Sequence, residues 1–258
     1  MALALAGCAS SPAVVPSAQW PAQLESALPT DVLLLGEQHD APDHQRLQRD
    51  TVQWLAARGR LAAVVLEMAE RGHSTAALAR GATEAQVQSA LQWNDAAWPW
   101  SAYGPVTMAA VRAGVPVLGG NLPRSAMAAA MQETRWDTHL AATARQQLLD
   151  AIQDGHCGML PAARLPATAR IQIARDASMA KTAQEAVRPG QTVLLVAGGE
   201  HVLRHRGIPT HWPQNTRSKV ASAHTEQAQA AIKTGVDIVV ATPPLPPHDA
   251  CEALRLPN

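Results

Sequence analysis

Apolar runs that contain β-branched residues recur along the chain at 31–37 (DVLLLGE), 61–68 (LAAVVLEM), 114–121 (GVPVLGGN), 191–201 (QTVLLVAGGEH) and 236–244 (VDIVVATPP). They are continuous rather than alternating, which predicts strands buried on both faces. Helix-like stretches lie between and around them, at about 42–58, 73–92, 104–113, 123–154, 166–188 and 225–234. Strand, helix, strand with short connections predicts an α/β fold with a largely parallel central sheet flanked by helices. The long stretch between the third and fourth strands predicts a helical insert or cap over about 123–188, and SKVASAH (218–224) is a candidate for one more strand. No internal repeat is visible, so residues 30–258 read as a single domain.

In open α/β sheets, ligands bind beyond the carboxyl ends of the strands. Polar residues concentrate there in this chain: Glu37 and His39 after the first run, Glu67 after the second, Asn121 after the third, Glu200 and His201 after the fourth. Each has a plainer reading as a turn or cap residue, with Asn121 turning the chain before Leu122-Pro123 and Asp43 capping a helix. A glutamate at a buried strand end is nevertheless costly unless paired. QIARDASMAKT (172–182) reads as a helix whose Arg175 and Lys181 are candidates for pairing with those carboxylates or for contacting an anion. Arg175 against Glu37 or Glu67 would be a structural pair. The Gly198-Gly199 pair allows close backbone approach just before Glu200 and His201.

His44 follows His39 by five residues, and two histidines with a glutamate can hold a divalent metal such as zinc. The spacing is not the helical pair of the common zinc proteases. A metal- or His-dependent hydrolase built from Glu37, His39, Glu67 and His201 is the alternative function, with Glu37 as general base. No Ser or Cys sits in a recognisable nucleophile elbow.

Composition narrows the choice further. The 258 residues carry 21 basic and 21 acidic side chains, so nothing in the net charge favours nucleic acid. There is no Phe, one Tyr and seven Trp. The single tyrosine, Tyr103, lies in QWNDAAWPWSAYGPV beside Trp98 and Trp100, with Met108 close by; such a cluster suits ordinary core as well as an apolar slot. At the start, Leu5-Ala6-Gly7-Cys8 fits a lipobox with Cys8 as the lipidated residue, preceded by only part of an apolar h-region. The small, Pro-rich stretch over 9–29 then reads as a tether, and Ala9 rather than Asp favours the outer membrane of a Gram-negative host. No later run reaches the ~18 apolar residues of a membrane helix. Cys157 and Cys251 are then either one disulfide in an oxidising compartment or two separate buried thiols.

DVLLLGEQHDAPDHQRLQ, LEM, WPWSAYGPV, GGNLP, CGMLP, QIARDASMA and GGEHVLRHRGIP, in this order over about 30–212, resemble the ChaN-like haem-binding lipoproteins of the wider Tiki and erythromycin-esterase-like superfamily. The resemblance implies a cell-envelope lipoprotein in haem and iron acquisition, a binding protein rather than an enzyme. It also implies haem held at a homodimer interface, an outer-membrane haem transporter as partner, a tyrosine on the iron and basic side chains on the propionates. Tyr103 is the only tyrosine available as iron ligand, with His39, His44, Arg175, Lys181 and His201 as further cofactor-binding candidates. A phenolate favours ferric iron. Should Tyr103 not serve, His39, His44, His73 or His156 becomes the ligand.

Overall fold

The computed structural model describes residues 13–225, 235–246 and 251. The elements run β1 (Ala13–Pro16), α1 (Trp20–Ala27), β2 (Val32–Glu37), α2 (Pro42–Ala57), β3 (Leu61–Glu70), α3 (Glu84–Leu91), α4 (Trp100–Ala113), β4 (Val117–Asn121), α5 (Arg124–Gln132), α6 (Ala142–Gly155), α7 (Leu165–Ala186), β5 (Thr192–Gly198), β6 (Ser218–Thr225) and β7 (Ile238–Thr242). The seven strands form one parallel sheet in the order β1-β7-β6-β2-β5-β3-β4. The architecture is α/β.

Strand periodicity divides the core in two. Leu33, Leu35, Val64, Leu66, Leu194 and Val196 pack under α1, α2, α3 and α4. Their neighbours Val32, Leu34, Ala63, Val65, Val193 and Leu195 face α7 through Met179, Ala180 and Ala183. Both faces are therefore covered, which is why these strands read as unbroken apolar runs.

Three helical stretches differ from the sequence expectation. Within 73–92 only α3 is helical, because Ser74 bridges to Leu118 at the sheet edge and the helix waits for the capping box of Thr83 and Gln86. The 123–154 stretch is broken by a 3-10 turn at Thr134–Thr138 between α5 and α6. α4 starts at Trp100, whose backbone N–H donates to Asp95 Oδ1 at 2.6 Å. Of the helix expected at 225–234, Thr225 ends β6 and 226–234 lie outside the described residues.

The tether reading of 9–29 does not hold from Ala13 onward. β1 pairs with β7 at the sheet edge, and α1 buries Trp20 and Leu24, each 1 % exposed, in the core. The Trp20 indole donates to Thr51 Oγ1 at 2.7 Å. Two apolar anchors four residues apart make the helix face, a pattern that the surrounding Pro and Ala obscure. Residues 1–12, with the Cys8 lipobox, lie outside the described residues.

Between β4 and β5, α7 is a sheet-covering crossover helix, while α6 packs on it through a separate cluster that includes Leu148, Ile152, Ala169 and Ile173. Cys157, just after α6, is bonded to Cys251 with Cα atoms 5.9 Å apart.

Candidate functional site

The carboxyl ends of β2, β3 and β5 meet in a polar crevice. β2 delivers Glu37, 4 % exposed, and four side chains converge on its carboxylate. His39 Nδ1 lies 2.7 Å from Oε1, and the Tyr103 hydroxyl donates to the same oxygen at 2.7 Å. Gln45 donates to Oε2 at 3.0 Å, and Gln48 donates to it as well. A carboxylate has about four acceptor positions, so Glu37 is saturated.

β3 delivers Glu67, 2 % exposed. Arg175 from α7 pairs with it at 2.5 Å, the Gly198 N–H donates to it at 2.7 Å, and His201 Nε2 lies 3.6 Å away. Asn121 locks the arrangement by accepting from Arg175 at 3.0 Å and donating to the Glu67 carbonyl at 2.8 Å. Burial would raise the Glu67 pKa, but the charges of His201, Arg175 and His39 hold it down at about 2. His201 Nδ1 in turn meets Asp176 at 2.6 Å. Burial alone would lower the His201 pKa, yet Asp176 and Glu67 outweigh it and raise it, while burial raises that of Asp176. Three acids, Glu37, Glu67 and Asp176, thus face three bases, His39, His201 and Arg175.

The crevice opens into a cleft of about 640 Å³ between α2 and α4. Trp98, Pro99, Ala102 and Pro105 supply apolar walls, His39 and Tyr103 the inner end, Arg46 and Arg49 the α2 side. Trp98 meets the His39 ring edge-on at 4.8 Å and the Tyr103 ring at 5.9 Å. Burial lowers the His39 pKa, but its hydrogen bond to Glu37 and the charges of Glu67 and Glu37 outweigh that and raise it. No described residue hydrogen-bonds its Nε2. A Cβ at position 198 would stand 2.9 Å from that nitrogen, so Gly198 keeps the space beside it open. Tyr103 is 1 % exposed, and burial together with the Glu37 charge holds its phenol far above the usual range.

Not every candidate joins the crevice. His44 is 1 % exposed, with Nδ1 accepting from the Gln38 N–H at 2.9 Å and Nε2 against Thr242 at 3.0 Å; burial and the nearby His224 lower its pKa to about 4. It is committed to joining α2 to β7, because position 44 falls on the inner stripe of the helix. Lys181 stands on the outer face of α7, 4.0 Å from Glu185, and lines a different cleft. Glu200 turns away to pair with Arg206 at 2.6 Å. His73 lines the Lys181 cleft, and His156 Nδ1 is held by the Ile152 carbonyl at 2.7 Å.

Sequence reasoning passed over Gln45, Gln48 and Asp176. Their signal is positional: each is a polar residue on a stripe that otherwise buries apolar side chains, such as Leu47, Val52 and Leu55 on α2. Arg46 and Arg49 were missed because exposed arginines on a helix carry no distinguishing spacing. The zinc alternative loses its ligand set, since among the described residues no three His, Cys, Asp or Glu side chains are placed to hold a metal ion.

The family model for haem-binding uptake, Tiki superfamily, ChaN, matches residues 23–211. The chain belongs to that family. The solved structure of Campylobacter jejuni ChaN, which shows cofacial haem binding, matches with a TM-score of 0.69 at 22 % identity, over 86 % of this chain and 93 % of that one. This likeness establishes the shared fold. A Bacillus cereus protein structure matches at a TM-score of 0.40 and 12 % identity, over 82 % and 70 % of the two chains. No curated protein matches. As a ChaN-family member the chain is a haem-binding protein of iron uptake.

Proposed function

We propose that haem seats in the cleft between α2 and α4, with His39 Nε2 as the axial donor to iron and Arg46 and Arg49 meeting the propionates. The observation that carries this reading is His39 itself. Its Nδ1 is bound to a carboxylate while its Nε2 has no hydrogen-bond partner among the described residues. That is how a metal-ligating histidine is oriented: the carboxylate fixes the tautomer and makes the outer nitrogen more basic. The cleft volume falls within the usual range of about 300–1,000 Å³ for small-molecule sites. Haem held there would supply iron as a Lewis acid, and the chain would supply the His39 nitrogen, apolar walls and cations.

Tyr103 is the second candidate for the iron, because it lines the same cleft. As a ligand it would have to give up its proton and its bond to Glu37, both of which its surroundings oppose. Further parts of the proposal are anchoring at the outer membrane through Cys8, delivery to an outer-membrane haem transporter, and a homodimer that covers the open side of the cleft. The Cys157–Cys251 bond supports an oxidising compartment such as the cell envelope. Binding rather than hydrolysis is supported by the saturation of Glu37, which has no acceptor position left to act as a general base.

The test is a visible-absorbance titration with ferric haem of the chain and of His39→Ala and Tyr103→Phe. Saturable binding lost in His39→Ala and kept in Tyr103→Phe is the expected result. A phenolate-type spectrum that vanishes only in Tyr103→Phe would move the axial bond to Tyr103. Absence of saturable binding would refute the haem site.

A further inference from the structure

A second and larger cleft, about 930 Å³, lies on the α7 side of the sheet beside edge strand β4. It shares no lining residue with the His39 cleft. Along α7 its wall is formed by Ala174, Ala177, Ser178, Lys181, Thr182, Glu185 and Ala186, positions that recur every three or four residues and so make one continuous helix face. At 1.5 Å per residue that face is about 18 Å long. Alanines from β3 and α5 form the facing walls. The result is a methyl-lined trough whose length suits an extended chain better than a disc.

Two residues that line the trough, Ser178 and Trp136, each carry a buried donor with no hydrogen-bond partner among the described residues. Ser178 is 7 % exposed, and its hydroxyl makes no hydrogen bond among the described residues, although a helical serine ordinarily reaches the carbonyl one turn back. The Trp136 indole N–H is likewise buried and unpartnered. Both groups donate, so what they lack is an acceptor. The rim adds charge of matching sign. Arg71, Arg135, Lys181 and Arg188 line the cleft against two carboxylates, Glu133 and Glu185, which leaves two positive charges in excess. Arg71 spends itself on Glu185 at 2.9 Å and Arg135 on Glu133 at 2.6 Å, whereas Arg188 reaches, among the described residues, the backbone carbonyls of Glu185 and Val187.

We propose that this trough binds a long-chain carboxylate, a fatty acid whose alkyl chain lies along the alanine face of α7 and whose carboxylate accepts from Ser178 and Trp136. Lys181, one turn from Ser178 and 4.0 Å from Glu185, adds a cation at the rim for that carboxylate. A free fatty acid and the acyl chain of a membrane lipid share this chemistry, and the test separates them.

Palmitate is titrated calorimetrically into the chain, with hexadecanol and phosphatidylglycerol vesicles as comparison arms. The expected result is saturable uptake of one palmitate per chain, weakened about tenfold in Ser178→Ala by loss of a hydrogen bond to a charged group. Hexadecanol binds more weakly than palmitate, Ala177→Trp fills the trough and abolishes uptake, and His39→Ala leaves it unchanged. Ala126→Trp, from the α5 wall, repeats the block independently, and circular dichroism verifies that each variant is folded. Absence of saturable palmitate binding overturns the proposal, as does uptake insensitive to both tryptophan variants. Binding to vesicles without binding to palmitate also overturns it, in favour of a membrane surface. So does a dimer that Ala177→Trp dissociates while palmitate does not bind, since the trough would then be an interface between copies.

Discussion

Arg175→Met tests the charge balance of the crevice. The substitution keeps the apolar stem of the side chain and removes the cation facing Glu67, whose carboxylate is 2 % exposed and cannot turn to water. The Glu67 pKa is held at about 2 against 4.5 for a free side chain, a difference of about 2.5 units. At 1.36 kcal/mol per unit this is about 3 kcal/mol at neutral pH, shared among Arg175, His201, His39 and the Gly198 N–H. Arg175 supplies only part of that, but breaking one side of a buried ion pair strands the other charge and costs about 3–5 kcal/mol, of which the lower end, about 3 kcal/mol, is taken here. In a domain of this size 1 kcal/mol corresponds to about 2–4 °C, so Tm should fall by about 6–12 °C in a thermal melt followed by circular dichroism. Because the folded pKa is depressed, the stabilisation is complete above the unfolded value near 4.5 and is lost as pH falls toward 2. The deficit of Arg175→Met should therefore shrink as pH is lowered from 7 to 3, since protonation neutralises the stranded carboxylate. A fall under about 2 °C at pH 7, or a deficit that does not change with pH, would refute the reasoning. Adding Glu67→Gln should restore part of the loss, because the two residues form one unit.

Haem affinity should weaken as pH falls through the raised pKa of His39, since iron takes the neutral ring and must displace a proton; titrations at pH 8 and pH 6 measure this, and stronger binding at pH 6 would contradict the histidine ligand. Gly198→Ala puts a methyl 2.9 Å from His39 Nε2 and should lower haem affinity with little change in melting temperature, read by the same titration beside a melt. Reducing Cys157–Cys251, which joins residues 94 apart in sequence, should cost about 2–4 kcal/mol, seen as a drop in Tm on adding reductant that Cys157→Ser reproduces.

The sheet was legible because its strands are buried on both faces, so Val32–Glu37 and Thr192–Gly198 announce themselves as unbroken apolar runs. β1 was not, since four residues at an edge, one of them proline, carry no such signal. The strand-end rule found Glu37, His39, Glu67 and His201 because parallel strands bring their ends together whatever the loops do. It also overshot. Glu200 follows β5 by two residues but the chain has already turned, and its carboxylate goes to Arg206. His44 looked like a crevice residue by proximity in sequence, yet helix geometry rotates it toward β7. Arg175 was expected against Glu37 or Glu67 and takes Glu67, but two other long-range pairings escaped. Tyr103 meets Glu37 across 66 residues, and His201 meets Asp176 across 25, and no local pattern encodes such a pairing.

Whether this crevice holds a ligand or transforms one turns on spare capacity. An acid and base that act on a substrate must each have a lone pair or proton to offer it. Glu37 spends its acceptor positions on His39, Tyr103, Gln45 and Gln48, while Glu67 is enclosed by Arg175, His201 and a backbone amide. Asp176 is 3 % exposed and is bonded to His201. Among the described residues, His39 Nε2 is the ring nitrogen left without a hydrogen-bond partner at the cleft, and a single well-oriented donor is enough to hold iron but not for a pair of proton transfers. The saturated carboxylates have a different use: they fix that donor in place and balance the charge around it. On this argument Glu37→Gln, which keeps the shape and removes the charge, should loosen His39 and weaken haem binding at a given pH. A variant that bound haem as tightly as the parent chain would show that the carboxylate does not orient the ligand.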